Sequence, residues 1–186
     1  MKILYINAAF REGSRTAQIA AAYLKNCDGK ICEVDLGTVE VRPFDAKSLE
    51  VYHKAVAAHC FDDPMFDFAK QFAAADRIVI AAPFWNYSIP AVLHSYLELV
   101  CTQGITFDLS TEGIYYSKCR ATQLTYITTS GGYIPQDDHA FGYIKSLAEV
   151  FWNIPDVRYL KAEGLDIYGT DVAGKLEQAM HREQPV

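Results

Sequence analysis

Three short stretches of this chain carry residue types that could bind a charged, flat ligand. In the first, Asn7 through Thr16, the sequence ends in Gly13, Ser14, Arg15 and Thr16 and passes directly into a helical pattern. A hydroxyl residue at a helix start caps free N–H groups, and the same end attracts anions because donors and the positive dipole end converge there. Arg15 adds a full charge and Thr16 a second hydroxyl, so Ser14, Arg15 and Thr16 form a candidate phosphate cradle. The second stretch contains Pro83, Phe84, Trp85, Asn86, Tyr87 and Ser88 and closes on Pro90. Two prolines bracketing a run of aromatics suit a rigid wall against a planar ring. The third contains Thr129, Ser130, Gly131, Gly132 and Tyr133. Glycines there let the backbone come close to a ligand and leave successive N–H groups free to stabilise negative charge. Together these chemistries suit a flavin, with its phosphate, its flat isoalloxazine ring and an electron-rich edge when reduced. Neither GxGxxG nor GxxxxGK[ST] is present, so a dinucleotide Rossmann turn or a P-loop is not indicated.

Such loops need elements to position them. Five short apolar segments recur, at residues 2–6, 30–36, 77–82, 121–128 and 157–162. The third is almost continuously hydrophobic, as a central parallel strand covered on both faces would be. Helical spacing separates the segments at residues 15–26, 66–75, 90–101 and 139–152, and a last helix is expected over 171–183. Alternating strands and helices predict an α/β fold: a three-layer sandwich with helices on both faces of a five-stranded parallel sheet. The expected order is the flavodoxin-like 2-1-3-4-5, whose ligands lie beyond the carboxyl ends of the strands. All three loops fall at such ends, after the first, third and fourth strands. Residues 37–65 lie outside this minimal pattern, and residues 104–118 read as a small hairpin excursion.

Composition narrows the function further. The chain of 186 residues, 51% hydrophobic and 22% charged, is expected to form one domain over residues 1–186. A net charge of −6 argues against nucleic acid, whose phosphates must be neutralised by Lys and Arg. No apolar run approaches the roughly 20 residues of a membrane span. The short apolar start is interrupted too early for a signal peptide, so a soluble, unprocessed protein is expected. Five cysteines without CxxC spacing and scattered histidines suggest reduced thiols in the cytoplasm and no metal site.

The run from Pro83 to Pro90, followed by Leu93, Tyr96, Leu97 and then Gly104, Ile105, Thr106 and Phe107, resembles the FMN-dependent NAD(P)H azoreductase and quinone reductase family. Thr129 to Tyr133 looks like that family's second flavin loop, and Gly13 to Thr16 like its phosphate loop. Ala162, Glu163 and Gly164, with Tyr168 and Gly169, are similar to its closing segment. The resemblance implies a flavodoxin-like fold, non-covalent FMN and a homodimer with active sites at the subunit interface. It also implies ping-pong hydride transfer from NADH or NADPH to a small aromatic acceptor, a quinone or azo compound. Carried over by position, Ser14, Arg15 and Thr16 would hold the phosphate. Pro83, Phe84, Trp85, Asn86 and Tyr87 would line the ring, and Ser130, Gly131, Gly132 and Tyr133 its pyrimidine side. Backbone N–H groups around Asn86, Gly131 and Gly132 would serve the reduced ring, and the Tyr133 hydroxyl would serve the acceptor. Ala8 and Ala9 depart from the Ser found in many members, and Trp85 and Tyr133 are bulkier than some counterparts. Two alternatives stay open on the same fold: a flavodoxin-type electron carrier and a flavin-free regulatory protein.

Overall fold

Alternation within the first strand organises the whole molecule. In β1 (Lys2–Asn7), Leu4 and Ile6 point to one face and Ile3 and Tyr5 to the other, as the two-residue period of a strand requires. The computed structural model describes residues 1–181. Within them, β1 lies between β2 (Lys30–Asp35) and β3 (Arg77–Ala81). Beyond β3 come two further strands. They are β6 (Gln123–Thr129) and β7 (Asp156–Ala162), because β4 (Phe107–Leu109) and β5 (Tyr115–Ser117) form a separate hairpin. The order is β2-β1-β3-β6-β7 and every pairing is parallel, which is the expected 2-1-3-4-5 sheet. Every residue of β6 is buried, consistent with its central place.

Helices cover both faces. On one, α1 (Arg15–Lys25) and α6 (Val172–His181) pack Ile19, Ala20, Tyr23, Leu176 and Ala179 against Ile3, Val79 and Ile127. Positions 182 and 183 of the helix expected over 171–183 lie outside the described residues. On the other face, α3 (Asp67–Ala73), α4 (Ala91–Val100) and α5 (Phe141–Val150) bring Phe72, Leu93, Tyr96, Leu97 and Ile144 onto Leu4, Ile78, Ile80 and Leu124. Among the described residues, no helix is long and apolar enough to cross a membrane.

The two stretches outside the minimal pattern have different fates. Residues 104–118 contain the anticipated hairpin, β4 (Phe107–Leu109) antiparallel to β5 (Tyr115–Ser117). Residues 37–65 hold a helix the pattern did not announce, α2 (Ala46–Ala58). It starts from a capping box in which Asp45 accepts from Ser48 N at 2.7 Å and Asp45 N donates to Ser48 Oγ at 2.9 Å. No residue of α2 is fully buried, so it lacks the wide apolar stripe that reveals a helix in sequence.

Charge pairs tie the strand ends opposite the loops. Asp156 opens β7 beside its ladder partner Gln123, accepting from Gln123 Nε2 at 2.6 Å and from Arg158 Nη2 at 2.8 Å. The Arg158 guanidinium, helped by the Gln123 amide, holds the Asp156 carboxyl below the usual carboxylate range. A lowered folded-state pKa gives a contribution that is present above the unfolded value of about 3.9 and is lost as pH falls through the folded value. Asp156→Asn is therefore expected to lower stability by about 0.2–1 kcal/mol at pH 7, as for partly exposed pairs. The difference from the parent should shrink below about pH 4. Urea unfolding at both pH values checks this, and a pH-independent difference would assign the effect to packing.

Candidate active site

Three backbone hydrogen bonds beyond the strand ends bring the candidate loops side by side. Ala8 N donates to Ala81 O at 2.8 Å, Ala82 N to Ile127 O at 3.0 Å, and Phe84 N to Thr129 O at 3.0 Å. The loops after β1, β3 and β6 are thus launched in register. Asn7 bends the first of them, its Oδ1 accepting from Ala9 N at 2.9 Å in an Asx-type turn.

The first loop ends in the expected cap. Ser14 Oγ accepts from Ala17 N at 3.3 Å, and Ser14 O from Gln18 N at 3.1 Å. The N–H groups of Arg15 and Thr16, in the first turn, have no carbonyl one turn back within the helix, which is what makes such an end an anion site. Thr16 is buried, and its hydroxyl lies 2.7 Å from that of Thr129. This buried pair joins the phosphate loop to the end of β6, so the Thr16 side chain locks the loop while its N–H supplies the donor. The Arg15 guanidinium reaches Asp166, with Nη2 to Oδ1 at 2.9 Å.

The second loop is a two-residue reversal. Trp85 N donates to Ser88 O at 3.0 Å and Ser88 N to Trp85 O at 2.9 Å. Between them Asn86 (φ 51°) and Tyr87 (φ 64°) are both left-handed, the signature of a type I′ turn. Asn tolerates this region, but a bulky Tyr is strained there by about 1–2 kcal/mol. Strain at an exposed aromatic beside a cavity is the pattern of a residue kept for contact rather than for folding. Tyr87→Gly should raise the melting temperature slightly, by about 1–3 °C once the extra chain entropy of Gly is offset. The same change should weaken ligand binding. A lowered melting temperature would show that the Tyr87 ring supports the fold.

The third loop is clamped by the segment after β7. Leu165 N donates to Ser130 O at 3.1 Å, Asp166 N to Gly131 O at 2.9 Å, and Gly164 N to Gly132 O at 2.8 Å. Ile134 N donates to Glu163 Oε2 at 2.8 Å. From α6, Lys175 Nζ sits 5.7 Å over the Tyr133 ring and donates to Glu163 O at 2.7 Å. Gly131 also makes room for a neighbour, because a Cβ there would meet the Asp166 carboxylate where it now lies.

The loops enclose a cavity of about 280 Å³. Of the positions expected from sequence, Ser14, Arg15, Thr16, Pro83, Phe84, Trp85, Ser130 and Gly131 line it; Asn86, Tyr87, Gly132 and Tyr133 do not. Asn86 and Gly132 directly follow lining residues, Tyr87 and Tyr133 come one position further on, and both tyrosines are exposed. The cavity also takes Ala8, Ala9, Phe10, Arg11, Thr129 and Asp166. Arg11 and Phe10 could have been suspected from their place in the first loop. Asp166, 151 positions from Arg15, carried no local signal.

The cavity's charge is mixed, with Arg11, Arg15 and the Asp166 carboxylate all in its lining. Elsewhere, burial pushes the Cys101 and Cys119 thiols up to about 12 and raises Cys27 as well, so none of these three is a thiolate nucleophile at neutral pH. A larger cleft of about 680 Å³ involves Arg42, Phe44, Met65, Phe68 and Leu99. No residue of the three loops lines it, so it has no part in this site. A small cavity at the carboxyl ends of parallel strands, with an anion site at one side and an aromatic wall at the other, defines a flavodoxin-like protein.

Comparison with known proteins agrees. Residues 1–184 match the family described as having a flavodoxin-like fold, and the chain belongs to that family. It is 33% identical over 190 residues to an FMN-dependent NADH:quinone oxidoreductase of Clostridium beijerinckii, covering 97% of this chain and 95% of the relative. It is 32% identical over 193 residues to FMN-dependent NADH:quinone oxidoreductase 2 of Clostridium acetobutylicum, covering 97% and 95%. Among solved structures, an azoreductase from Bacillus anthracis superposes with a TM-score of 0.83 at 21% identity, covering 98% of this chain and 96% of that one. An FMN-dependent NADH-azoreductase from the same species, in complex with FMN, gives 0.78 at 21% identity, with 97% and 94% covered. The family resemblance read from the Pro83 to Pro90 run is borne out.

Proposed function

We propose that this chain is an FMN-dependent oxidoreductase that transfers reducing equivalents from a nicotinamide to quinone or azo-type acceptors by a ping-pong mechanism. It would work as a cytosolic homodimer of one FMN-binding domain. The observation that carries the reading is the convergence of three loops on one cavity, with an anion cradle at Ser14–Arg15–Thr16 and an aromatic wall at Phe84–Trp85. The curated relatives are named for FMN, NADH and quinone, which makes NADH the first donor to test.

The residues present fit the flavin. Its phosphate suits the free N–H groups of Arg15 and Thr16 and the Arg15 guanidinium. At about 280 Å³ the cavity is just under the roughly 300–1,000 Å³ of ligand sites, so a flat ring would extend past Trp85 towards the exposed Tyr87 and Tyr133. A second copy of the chain covering those aromatics would complete the site. FMN, when bound, supplies the ring that takes up and releases the hydride. The protein's own part is orientation and charge. The hydroxyl pair of Thr16 and Thr129 keeps the phosphate loop against β6, and the 130–133 backbone is held by its bonds to Gly164, Leu165 and Asp166. The exposed Tyr133 ring, beneath Lys175, would offer its hydroxyl to an acceptor oxygen or nitrogen.

A visible spectrum of the purified protein with added FMN, followed by anaerobic NADH titration, tests the function. Flavin absorbance that bleaches with NADH and returns with a quinone supports it. Bleaching that needs a separate reductase would make the protein an electron carrier, and no FMN complex would end the flavin reading. Tyr133→Phe is expected to lower acceptor turnover about 10-fold or more, as for a positioned proton donor, with FMN still bound. Unchanged turnover would remove Tyr133 from the mechanism.

A further inference from the structure

Asp166 is an exposed acidic residue on the lining of the cavity proposed to take the flavin phosphate. Its Oδ1 accepts from Arg15 Nη2 at 2.9 Å, and it shares the cavity wall with Arg11, Ser14 and Thr16. The side chain is exposed, but the backbone that carries it is held in place. The Asp166 and Leu165 N–H groups are tied to Gly131 and Ser130 carbonyls, and the carboxylate occupies space that a side chain on Gly131 would need. The absence of a Cβ at Gly131 therefore admits the protein's own carboxylate to the cavity edge.

We propose that Asp166 is a built-in competitor for Arg15, occupying the guanidinium with an internal anion that the ligand's phosphate must displace or share. The proposal rests on the FMN reading of the cavity. A phosphate monoester carries a charge of about −1.5 to −2 at neutral pH, and a carboxylate beside it repels that charge while drawing Arg15 away. Competition of this kind lowers affinity for every phosphate-bearing ligand and leaves the flat ring's contacts alone. Asp166 thereby sets how much of the binding free energy the phosphate contributes. It also links the 164–170 segment to occupancy of the cavity, because Asp166 is joined to Gly131 through the backbone and to Arg15 through its side chain.

Asp166→Asn keeps the shape of the side chain and removes its charge. Dissociation constants for FMN and riboflavin, read from quenching of flavin fluorescence, should separate the effects. FMN is expected to bind about two- to fivefold tighter to the variant, the range for relieving one partly exposed charge interaction, with riboflavin unchanged. An equal change for both flavins, or weaker FMN binding alone, would overturn the proposal; the second result would make Asp166 a positioning residue for Arg15. If the variant folds poorly, Asp166→Ser replaces it in the same titrations. A second arm needs no flavin: inorganic phosphate should raise the melting temperature of the variant more than that of the parent. Were the parent to bind neither flavin, that larger rise would sustain the competition while ending the FMN reading. Equal rises would end the competition itself.

Discussion

Arg15→Ala is expected to weaken FMN binding about 10- to 100-fold and to leave riboflavin binding unchanged, the loss expected for one charge-assisted contact of roughly 1.5–3 kcal/mol. The guanidinium lies at the first turn of α1, where the helix dipole already favours an anion, so its contribution adds to that of the N–H groups without replacing them. Some phosphate recognition therefore survives in the variant, and Arg11, in the same cavity, adds to what remains. The fold should be indifferent. The Arg15–Asp166 pair is largely exposed on its acidic side, and such pairs contribute about 0–1 kcal/mol. Equilibrium titration of both flavins with the parent and the variant gives the answer directly. A ratio of FMN to riboflavin affinity that stays the same would exclude Arg15 from phosphate recognition.

The largest effect on stability is expected at Phe72. Its side chain is fully buried in α3, and its ring lies 4.4 Å, centroid to centroid, from the buried Trp152 that follows α5. This contact joins the helices of one face over the sheet. Phe72→Ala should cost about 3–5 kcal/mol, the range for a large aromatic in a close-packed core. For a chain of this size that is a fall of about 6–20 °C in melting temperature. Against a total of about 5–15 kcal/mol, such a variant would be marginal. Trp152→Phe is a useful contrast. Among the described residues the buried indole N–H has no partner, so removing it breaks no hydrogen bond, and only volume is lost. Calorimetry of both variants checks the ranking, and equal losses would show that the cavity left by Phe72 is closed by relaxation.

Much of the architecture was legible because its signals are local. The run at residues 77–82 is apolar at nearly every position, as in a strand covered on both faces, and β3 is buried along nearly all its length. Ser14 before an amphipathic run announced both a helix start and an anion site, and the cap is formed as its chemistry requires. Helix α2 was missed for the converse reason: with no fully buried residue, it relies on the Asp45–Ser48 capping box and leaves a weak periodic trace. The turn at Asn86 and Tyr87 was hidden because Tyr is a poor left-handed residue, so its backbone is imposed by the surrounding loop and not by its own preference.

The candidate site divides along the same line. The residue types that could hold a phosphate and face a flat ring stand in three contiguous stretches, and their positions at strand ends follow from the alternation of elements. The amino-acid sequence alone therefore determined the fold family, the three loops and the class of ligand they suit. Only the tertiary structure could bring in Asp166, because a parallel sheet sets the end of β7 beside the end of β6 and the start of α1 across 151 positions of chain. Only the tertiary structure gave Gly131 its neighbour and Thr16 its partner. Pairings of that kind depend on which strands lie side by side, and no window of sequence contains both members.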